Sequence, residues 1–265
     1  MILATHGIIG SGAAFDADAV AFFNRVTTAG GTLSTTEKQA VNSLVVDMKA
    51  AGIWSGMKAI YPMVGASAAS CAQNLKSSSF TGTFSSGWTF ASTGVLGNGL
   101  SSYFDTNFNQ TTQSQAQNNT YLSVYIRNNN IGGYDMGNGL GFSTVSTYLI
   151  ARYGAGLNYL GIGDGSYGTS TSSTDSRGLW SGGTNGSAAQ ILYRNGSSTA
   201  TGTSPQIGVA NNNLYLGAFN NAGAANVSSS HEYAFSTISN GLSATQNTDF
   251  YTAVQAFQTT LSRQV

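Results

Sequence analysis

Carboxylate side chains are the residues of this sequence whose spacing could support cleavage of a glycan. Retaining glycosidases hold two carboxyl groups about 5 Å apart, one as acid and one as nucleophile. The chain has two glutamates: Glu37 stands at capping-box distance from Ser34, and Glu232 has no acidic neighbour in sequence. The pattern therefore predicts no paired glutamates of this kind. The alternative that the spacing leaves open is an acid pair drawn from Asp105, Asp135, Asp164 and Asp175.

Nucleophilic catalysis would need a histidine beside a serine or cysteine. The only histidines are His6 and His231, and neither a Gly-x-Ser-x-Gly motif nor a His-Glu-x-x-His motif occurs. His231 begins a strand pattern, so we expect it to face solvent or the strand edge. Cys71 is the single cysteine, which rules out an internal disulfide and a cysteine metal site. We therefore expect no enzymatic activity.

Calcium is the one cofactor for which the sequence offers ligands, and otherwise we expect no cofactor or metal. Asp105-Thr106-Asn107 and Asp164-Gly165-Ser166 place hard oxygen ligands in predicted loops. The same residue types are ordinary turn formers, so a structural role is the alternative.

Aromatic residues among glycines and asparagines suggest a second kind of chemistry, the binding of sugars. Sugar sites stack a ring on an exposed aromatic side chain and place hydrogen-bonding groups beside it. Burial in the core is the alternative for each of these residues. The candidate glycan-binding residues are Tyr134, Tyr153, Tyr167 and Trp180.

The composition limits the partners and the fold class. Charged residues make up 8% of the 265 residues, against about 25% in ordinary globular domains, and the net charge is zero. We therefore expect no nucleic-acid partner and no membrane insertion, because the chain has no basic cluster and no long apolar run. With 34 Gly, 2 Pro and 41% hydrophobic residues, the chain is typical of many short strands joined by tight turns. The first 14 residues lack the basic start of a signal peptide.

Helical patterns are confined to the two ends of the chain. An Asp-led pattern covers Asp16–Ala29, and the Ser34 to Glu37 capping box starts a second helix. A third helix is predicted from about Thr245 to Leu261, with Ser243 as its N-cap. Its apolar stripe consists of Phe250, Val254, Phe257 and Leu261.

Between the helices, strand and turn patterns alternate from about residue 57 to residue 241. Thr120–Arg127 is the clearest strand, because Tyr121 and Tyr125 alternate with aliphatic residues. Asn195-Gly196 predicts a two-residue hairpin turn. Residues 163–176 are small and polar, so we expect a surface loop there.

The C-terminal part of the sequence resembles the end of a concanavalin-A-like (laminin-G-like) jelly-roll. The elements that carry the resemblance are the Leu192–Gly196 hairpin, the strands Leu214–Phe219 and Glu232–Ile238, the Asn240-Gly241 turn and the closing helix. Over nearly the whole chain, the order of motifs is also similar to structural proteins of tailed bacteriophages of Bacteroidetes-type hosts. Those motifs are Gly52–Trp54, Lys58–Gly65, Asn74–Lys76 and Ser86–Thr106.

The resemblance implies a mainly β fold, a two-sheet antiparallel jelly-roll with an N-terminal helix pair and a C-terminal helix. It implies two regions: residues 1–56, a leader and helix pair for attachment, and residues 57–265, the sandwich with its closing helix. It also implies a virion structural protein, displayed as a head fibre, capsid decoration or tail-fibre component. A carbohydrate-binding module for receptor recognition is the alternative function, and host-surface glycan is then the ligand.

Assembly on a virus particle follows from the same resemblance. Such fibres and decorations are commonly homotrimers that contact other virion proteins, so we expect three chains and a location in the virion. The leader holds apolar side chains that cannot form a core alone, and burying each would stabilise a contact by about 1.5–3 kcal/mol. The predicted attachment residues are Ile2, Leu3, Ile8 and Ile9.

Overall fold

The computed structural model of the chain describes residues 14–141, 144–164 and 168–265. The predicted attachment residues Ile2, Leu3, Ile8 and Ile9 lie outside these residues. Within them, four α-helices form: α1 (Ala17–Thr28), α2 (Thr35–Ala50), α3 (Ala68–Cys71) and α4 (Ala244–Thr260), with a 3₁₀ turn at Trp54–Gly56 before the first strand.

The strands of the described residues follow one another in short segments. In chain order they are β1 (Met57–Tyr61), β2 (Thr83–Phe84), β3 (Trp88–Ala91), β4 (Gly94–Gly97), β5 (Phe104–Asn109), β6 (Tyr121–Ile126), β7 (Met136–Gly139), β8 (Ser146–Tyr153), β9 (Leu157–Asp164), β10 (Thr169–Ser172), β11 (Gly178–Thr184), β12 (Ala189–Arg194), β13 (Ser197–Thr203), β14 (Asn213–Leu216), β15 (Phe219–Asn221), β16 (Ala224–Asn226) and β17 (Glu232–Ser239).

These strands form two sheets that pack face to face. The first sheet has the order β13-β12-β11-β6-β17-β4-β3, and β1 also pairs with β17. The second sheet has the order β10-β9-β8-β7-β14-β5-β2, and β15 and β16 extend it beside β7. The pairings are antiparallel except for β15 with β7. The mainly β, two-sheet sandwich with an N-terminal helix pair and a C-terminal helix is therefore confirmed.

The central strands of the first sheet are buried on both faces, which explains the pattern of β6. Every residue of β6 is buried. Leu122, Val124 and Ile126 face the second sheet, whereas Tyr121 and Tyr125 face the helices. The alternation predicted for this strand is confirmed, and both of its faces lie in apolar cores.

The helix layer consists of α1, α2 and α4, which cover the outer face of the first sheet. The Ser34 and Glu37 side chains form the predicted capping box at the start of α2, and Ser243 caps α4 in the same way. The buried stripe of α4 contains Phe250, Val254 and Phe257. The helix positions predicted from the sequence are confirmed within one or two residues.

A fully buried arginine, Arg263, links the end of α4 to two chain segments, one at Pro62 and Met63 and the other at Ala234. The Arg263 guanidinium donates hydrogen bonds to the carbonyl oxygens of Pro62, Met63 and Ala234 at 3.1, 2.8 and 3.0 Å. Burial lowers the pKa of Arg263 to about 10, so the group stays charged at neutral pH. Carbonyl dipoles replace water around the cation, because an uncompensated buried charge would be costly.

Two turn regions show where the local patterns succeed and fail. Asn195 and Gly196 both have positive φ, 49° and 77°, and join β12 to β13 in the predicted hairpin. The prediction of a surface loop over residues 163–176 is wrong for residues 163–164, which end β9, and for Thr169–Ser172, which forms the edge strand β10 against β9. Pairing with β9 supplies backbone hydrogen bonds that outweigh the weak strand preference of serine.

The first prediction concerns the packing of α4. Phe257 is 2% exposed and its ring centroid lies 6.0 Å from that of Phe235, so Phe257→Ala leaves a cavity. We expect a loss of roughly 3–5 kcal/mol in the free energy of unfolding, measured by urea denaturation. The control is Thr252→Ala on the exposed side of α4, with an expected change below about 0.5 kcal/mol. A loss below about 1 kcal/mol for Phe257→Ala would show that α4 is not packed as described.

Candidate functional site

The outer face of the second sheet carries a row of side chains in direct cross-strand register. Because alternate residues of a strand share a face, this row lies on the side opposite the inner core. Two of its positions are glycines, Gly137 and Gly161, and a Cβ at either would meet the Tyr148 side chain at 3.1 or 2.5 Å. The glycines therefore let an aromatic ring lie against the sheet. In order, the row is Thr83, Asp105, Tyr215, Gly137, Tyr148 and Gly161.

Two residues of the row, Asp105 and Tyr215, form a group with Tyr103 and Asn213. We call these four residues the tyrosine–aspartate patch. The two tyrosine rings are stacked, with centroids 4.5 Å apart and an interplanar angle of 16°. The Asn213 Nδ2 donates to the Asp105 carboxylate, 3.0 Å from Oδ1 and 3.2 Å from Oδ2. The patch thus combines aromatic surface with a carboxylate and an amide on adjacent strands.

Strand alternation explains why these residues share a face. In β5 and the residue before it, Tyr103 and Asp105 point outward, whereas Phe104 is buried in the inner core. The inward Thr106 Oγ1 donates to the carbonyl oxygen of Leu214 at 2.6 Å, which fixes β5 against β14.

A local turn orients the carboxylate of the patch. The backbone N–H of Asn107 donates to Asp105 Oδ1 at 2.8 Å, and Asn107 has a positive φ of 55°. Asparagine tolerates this conformation better than most residues. The turn and the Asn213 amide together hold the carboxylate in one position at the sheet surface.

The electrostatics of the patch are dominated by one negative charge. Asp105 is partly exposed, and among the described residues it forms no ion pair with a lysine or arginine. Burial, with smaller contributions from the charges of Asp105 and Tyr103, raises the pKa of Tyr215 to about 12. The Tyr215 hydroxyl is therefore a protonated hydrogen-bond donor at neutral pH.

The structure separates the aromatic residues that the sequence suggested for sugar binding. Tyr134 is partly exposed on the outer face of the second sheet, where its ring lies 5.5 Å from Tyr148. Tyr153 is 42% exposed at the end of the β8–β9 hairpin. Tyr167 lies outside the described residues. Tyr134 and Tyr153 therefore lie in different surroundings.

Trp180 requires a correction. Its side chain is 1% exposed and lies between the sheets, and its indole N–H donates to the Ser176 carbonyl oxygen at 2.8 Å. A ring in this position cannot stack on a sugar. Trp180 is therefore a core residue, which was the alternative to sugar binding, because β11 is a central strand with both faces covered.

The sequence pattern identified Asp105 as a possible calcium ligand or member of an acid pair, and it missed the aromatic neighbours of Asp105. The available signal was the alternation of Tyr103, Asp105, Asn107 and Asn109 with Phe104, Thr106 and Phe108. That pattern separates a polar face from an apolar one but cannot show which strand lies beside it. The partners Asn213 and Tyr215 are more than 100 residues away in sequence.

A buried polar cluster joins the two sheets near the start of β7. The Asp135 Oδ1 accepts hydrogen bonds from the Tyr233 hydroxyl at 2.7 Å and from the Ser229 hydroxyl at 3.3 Å, and lies 2.6 Å from His231 Nδ1. His231 Nε2 lies 2.9 Å from the Asn130 carbonyl oxygen. Both ring nitrogens thus face acceptors, which favours the doubly protonated imidazolium paired with Asp135.

The expectation that His231 faces solvent or a strand edge is wrong, since its side chain is fully buried. The cluster also lacks the geometry of a catalytic triad. Ser229 donates to Asp135 rather than to the histidine, and all three side chains are inaccessible to substrate.

The two predicted calcium ligands, Asp105 and Asp164, have different surroundings. Asp105 is bonded to Asn107 and Asn213 as described, whereas Asp164 is 1% exposed and is followed by residues outside the described part. Across the described residues, no three His, Cys, Asp or Glu side chains come together in a group that could hold a metal ion. No described helix is long and apolar enough to cross a membrane.

Comparisons with known proteins place the fold. The sequence matches no protein-family profile and no curated protein. Among solved structures, domain 4 of AbnA, an extracellular arabinanase of Geobacillus stearothermophilus in complex with arabinotriose, matches with a TM-score of 0.53 at 15% identity, over 74% of this chain and 98% of that one. The botulinum neurotoxin serotype D binding domain matches with a TM-score of 0.51 at 12% identity, over 76% of this chain and 52% of that one. This chain therefore shares a β-sandwich fold with both.

The second prediction concerns the histidine of the buried cluster. Burial lowers the pKa of His231, but the charge and hydrogen bond of Asp135 and the Asn130 carbonyl outweigh it, so the pKa is raised overall. A raised folded-state pKa gives stabilisation that is complete below the unfolded value of about 6.5 and is lost as pH rises through the folded value.

We expect the free energy of unfolding to fall, as the pH rises above the unfolded value of about 6.5, more steeply in the native protein than in His231→Gln. Groups common to both proteins cancel in this difference. Urea denaturation across the pH range measures it, and parallel curves for the two proteins would contradict the imidazolium assignment.

Proposed function

We propose that this chain is a carbohydrate-binding domain and that the tyrosine–aspartate patch contacts the sugar. The observation that carries the proposal is the stacked Tyr103 and Tyr215 pair beside the Asp105 carboxylate and the Asn213 amide. An aromatic surface next to fixed hydrogen-bonding groups is the usual composition of a site that orients a ligand.

The aromatic part of the patch supplies apolar contact area. Tyr215 is 7% exposed and packs under Tyr103, which is partly exposed. One face of the Tyr103 ring is covered by Tyr215. A sugar ring stacked on the remaining surface replaces water on an apolar face, and burying an aromatic side chain stabilises by about 1.5–3 kcal/mol.

The polar part of the patch selects the orientation of the ligand. The Asp105 Oδ1 already accepts hydrogen bonds from Asn107 and Asn213. Among the described residues, Oδ2 has one hydrogen bond, the longer one of 3.2 Å from Asn213. A carboxylate has about four acceptor positions, so Oδ2 retains capacity for a sugar hydroxyl. Hydrogen bonds to a charged acceptor are among the stronger ones, at about 1.5–3 kcal/mol.

A second aromatic group lies along the same face. Tyr148 is two strands from Tyr215, about 10 Å away at ordinary strand spacing, and Tyr134 packs against it. Tyr148 itself is 4% exposed, so the accessible ring of this second group is the partly exposed Tyr134. An oligosaccharide can reach both Tyr103 and Tyr134, whereas a single sugar ring contacts one. The extended face therefore favours a ligand of several sugar units.

The structural comparisons give indirect support. The arabinanase domain with a TM-score of 0.53 is described in complex with arabinotriose, a neutral trisaccharide. At 15% identity this likeness concerns the fold, and the proposal rests on the patch itself. Catalysis by an acid pair is disfavoured because the Asp135 and Asp164 side chains are buried, and Asp175 is paired with Arg177 and Arg194.

We also propose that this domain is displayed on a virus particle. In this proposal it forms a homotrimer that is attached through its N-terminal region to other virion proteins. The proposal rests on the sequence resemblance alone. Host-surface glycan would then be the ligand of the patch. Immunogold labelling of purified particles tests the location, and mass measurement by light scattering tests the trimer. Unlabelled particles or a monomeric mass would contradict the respective part.

The third prediction concerns the stacked pair. Tyr103→Ala should weaken binding of a neutral oligosaccharide by roughly 1–3 kcal/mol, about 5- to 150-fold in Kd, because the ring loses its contact with the sugar. A glycan array identifies the oligosaccharide, and isothermal titration calorimetry measures Kd.

Tyr153→Ala is the matched control, since it removes an exposed tyrosine at the end of the β8–β9 hairpin. We expect it to leave Kd unchanged. If Tyr153→Ala abolished binding and Tyr103→Ala did not, the ligand would sit at the hairpin end rather than on the patch.

A further inference from the structure

We propose that Asp105 makes the tyrosine–aspartate patch selective for neutral sugars and excludes sugars that carry a carboxylate or sulfate. The inference rests on the proposed carbohydrate-binding function and names the class of ligand. It depends on where the charges of the chain lie, which the structure shows for every lysine and arginine.

The positive charges of the chain lie away from the patch. All ten lysine and arginine residues are among the described residues. The basic residue on the outer face of the second sheet is Arg152, whose guanidinium donates to Asn129 Oδ1 at 2.9 Å. It stands four residues beyond Tyr148 on β8, about 13 Å along the strand at 3.3 Å per residue. No described cation is therefore placed to neutralise Asp105 or to receive an anionic sugar.

The carboxylate of Asp105 is held in place rather than free to turn away. Asn213 Nδ2 and the Asn107 backbone N–H both donate to it, and its strand neighbour Tyr215 is directly opposite in register. A sugar acid stacked on Tyr103 would bring a second carboxylate near this fixed charge. Like charges in such a partly desolvated position repel.

The groups beside Asp105 do not offset this repulsion. Asn213 and Asn107 already direct their donors to Asp105, and Thr83, on the strand at its other side, carries only a hydroxyl. The raised pKa of Tyr215, to which Asp105 contributes after burial, is a second sign of negative potential at the patch. Recognition of an acidic sugar usually needs arginine or lysine.

The test compares sugars of equal length that differ in charge. Neutral and acidic partners are measured in pairs by calorimetry: 3′-galactosyllactose with 3′-sialyllactose, galactotriose with trigalacturonic acid, and neutral with glucuronic-acid-capped gluco- and manno-oligosaccharides of the same length. We expect the neutral member of a pair to bind at least about tenfold more tightly in low salt. Because the Debye length shortens from about 20 Å to about 4 Å between roughly 20 mM and 500 mM salt, the ratio should fall as salt is added.

Asp105→Asn keeps the shape of the side chain and removes its charge. We expect this variant to bring the neutral-to-acidic ratio close to one and to remove its salt dependence, with an unchanged melting temperature as the check on folding. Asp249→Asn, on the exposed side of α4, removes the same charge from the helix layer and should leave the ratio as in the native protein.

The outcomes separate the two proposals. Equal or tighter binding of the acidic members by the native protein, with loss of binding in Tyr103→Ala, would overturn the selectivity and leave the carbohydrate-binding function standing. A ratio that Asp105→Asn does not change would assign the selectivity to other residues and overturn the role of Asp105. Binding of no pair would overturn both proposals.

Discussion

The burial of the central strands of the first sheet on both faces is the constraint on which the rest of the structure depends. Helices α1, α2 and α4 cover one face, and the second sheet covers the other. Tyr121 and Tyr125 on one side of β6 are therefore buried in one core, and Leu122 and Val124 on the other side are buried in the second. The outer face of the second sheet is covered by neither the helices nor the first sheet, and the partly exposed Tyr103 and Asp105 lie on it. The proposed site follows from this layering as much as from its own residues.

The sequence predicted those parts of the fold whose signals are local. The capping boxes at Ser34 and Ser243, the Asn195-Gly196 turn and the alternation of β6 all involve residues within a few positions of one another, and the structure confirms them. Strand β10 was missed, because its pairing with β9 outweighs its composition. The candidate site was largely missed for the same reason, since Tyr103 and Tyr215 meet only when β5 and β14 pair.

Buried polar groups show a further limit of sequence reasoning. A histidine at a strand start in a polar segment is expected to face water, yet His231 is enclosed with Asp135 and Tyr233 between the sheets. Removal of one partner from such a pair typically costs about 3–5 kcal/mol, because the other charge is left unpaired. The cluster holds Asp135, the residue before β7, in place. Strand β7 also contains Gly137, where an added Cβ would lie 3.1 Å from the Tyr148 Cβ. A polar contact in the interior thereby positions part of the outer face.

The proposed sugar site lies on the outer face of the second sheet. Chemical-shift mapping by NMR tests this position most directly, with a neutral oligosaccharide added to the isotopically labelled chain until the shifts saturate. We expect the largest shifts at Tyr103, Asp105, Asn213 and Tyr215, with smaller shifts near Tyr134 and none in the helix layer. Shifts confined to the hairpin end near Tyr153, or to α2 and α4, would contradict it.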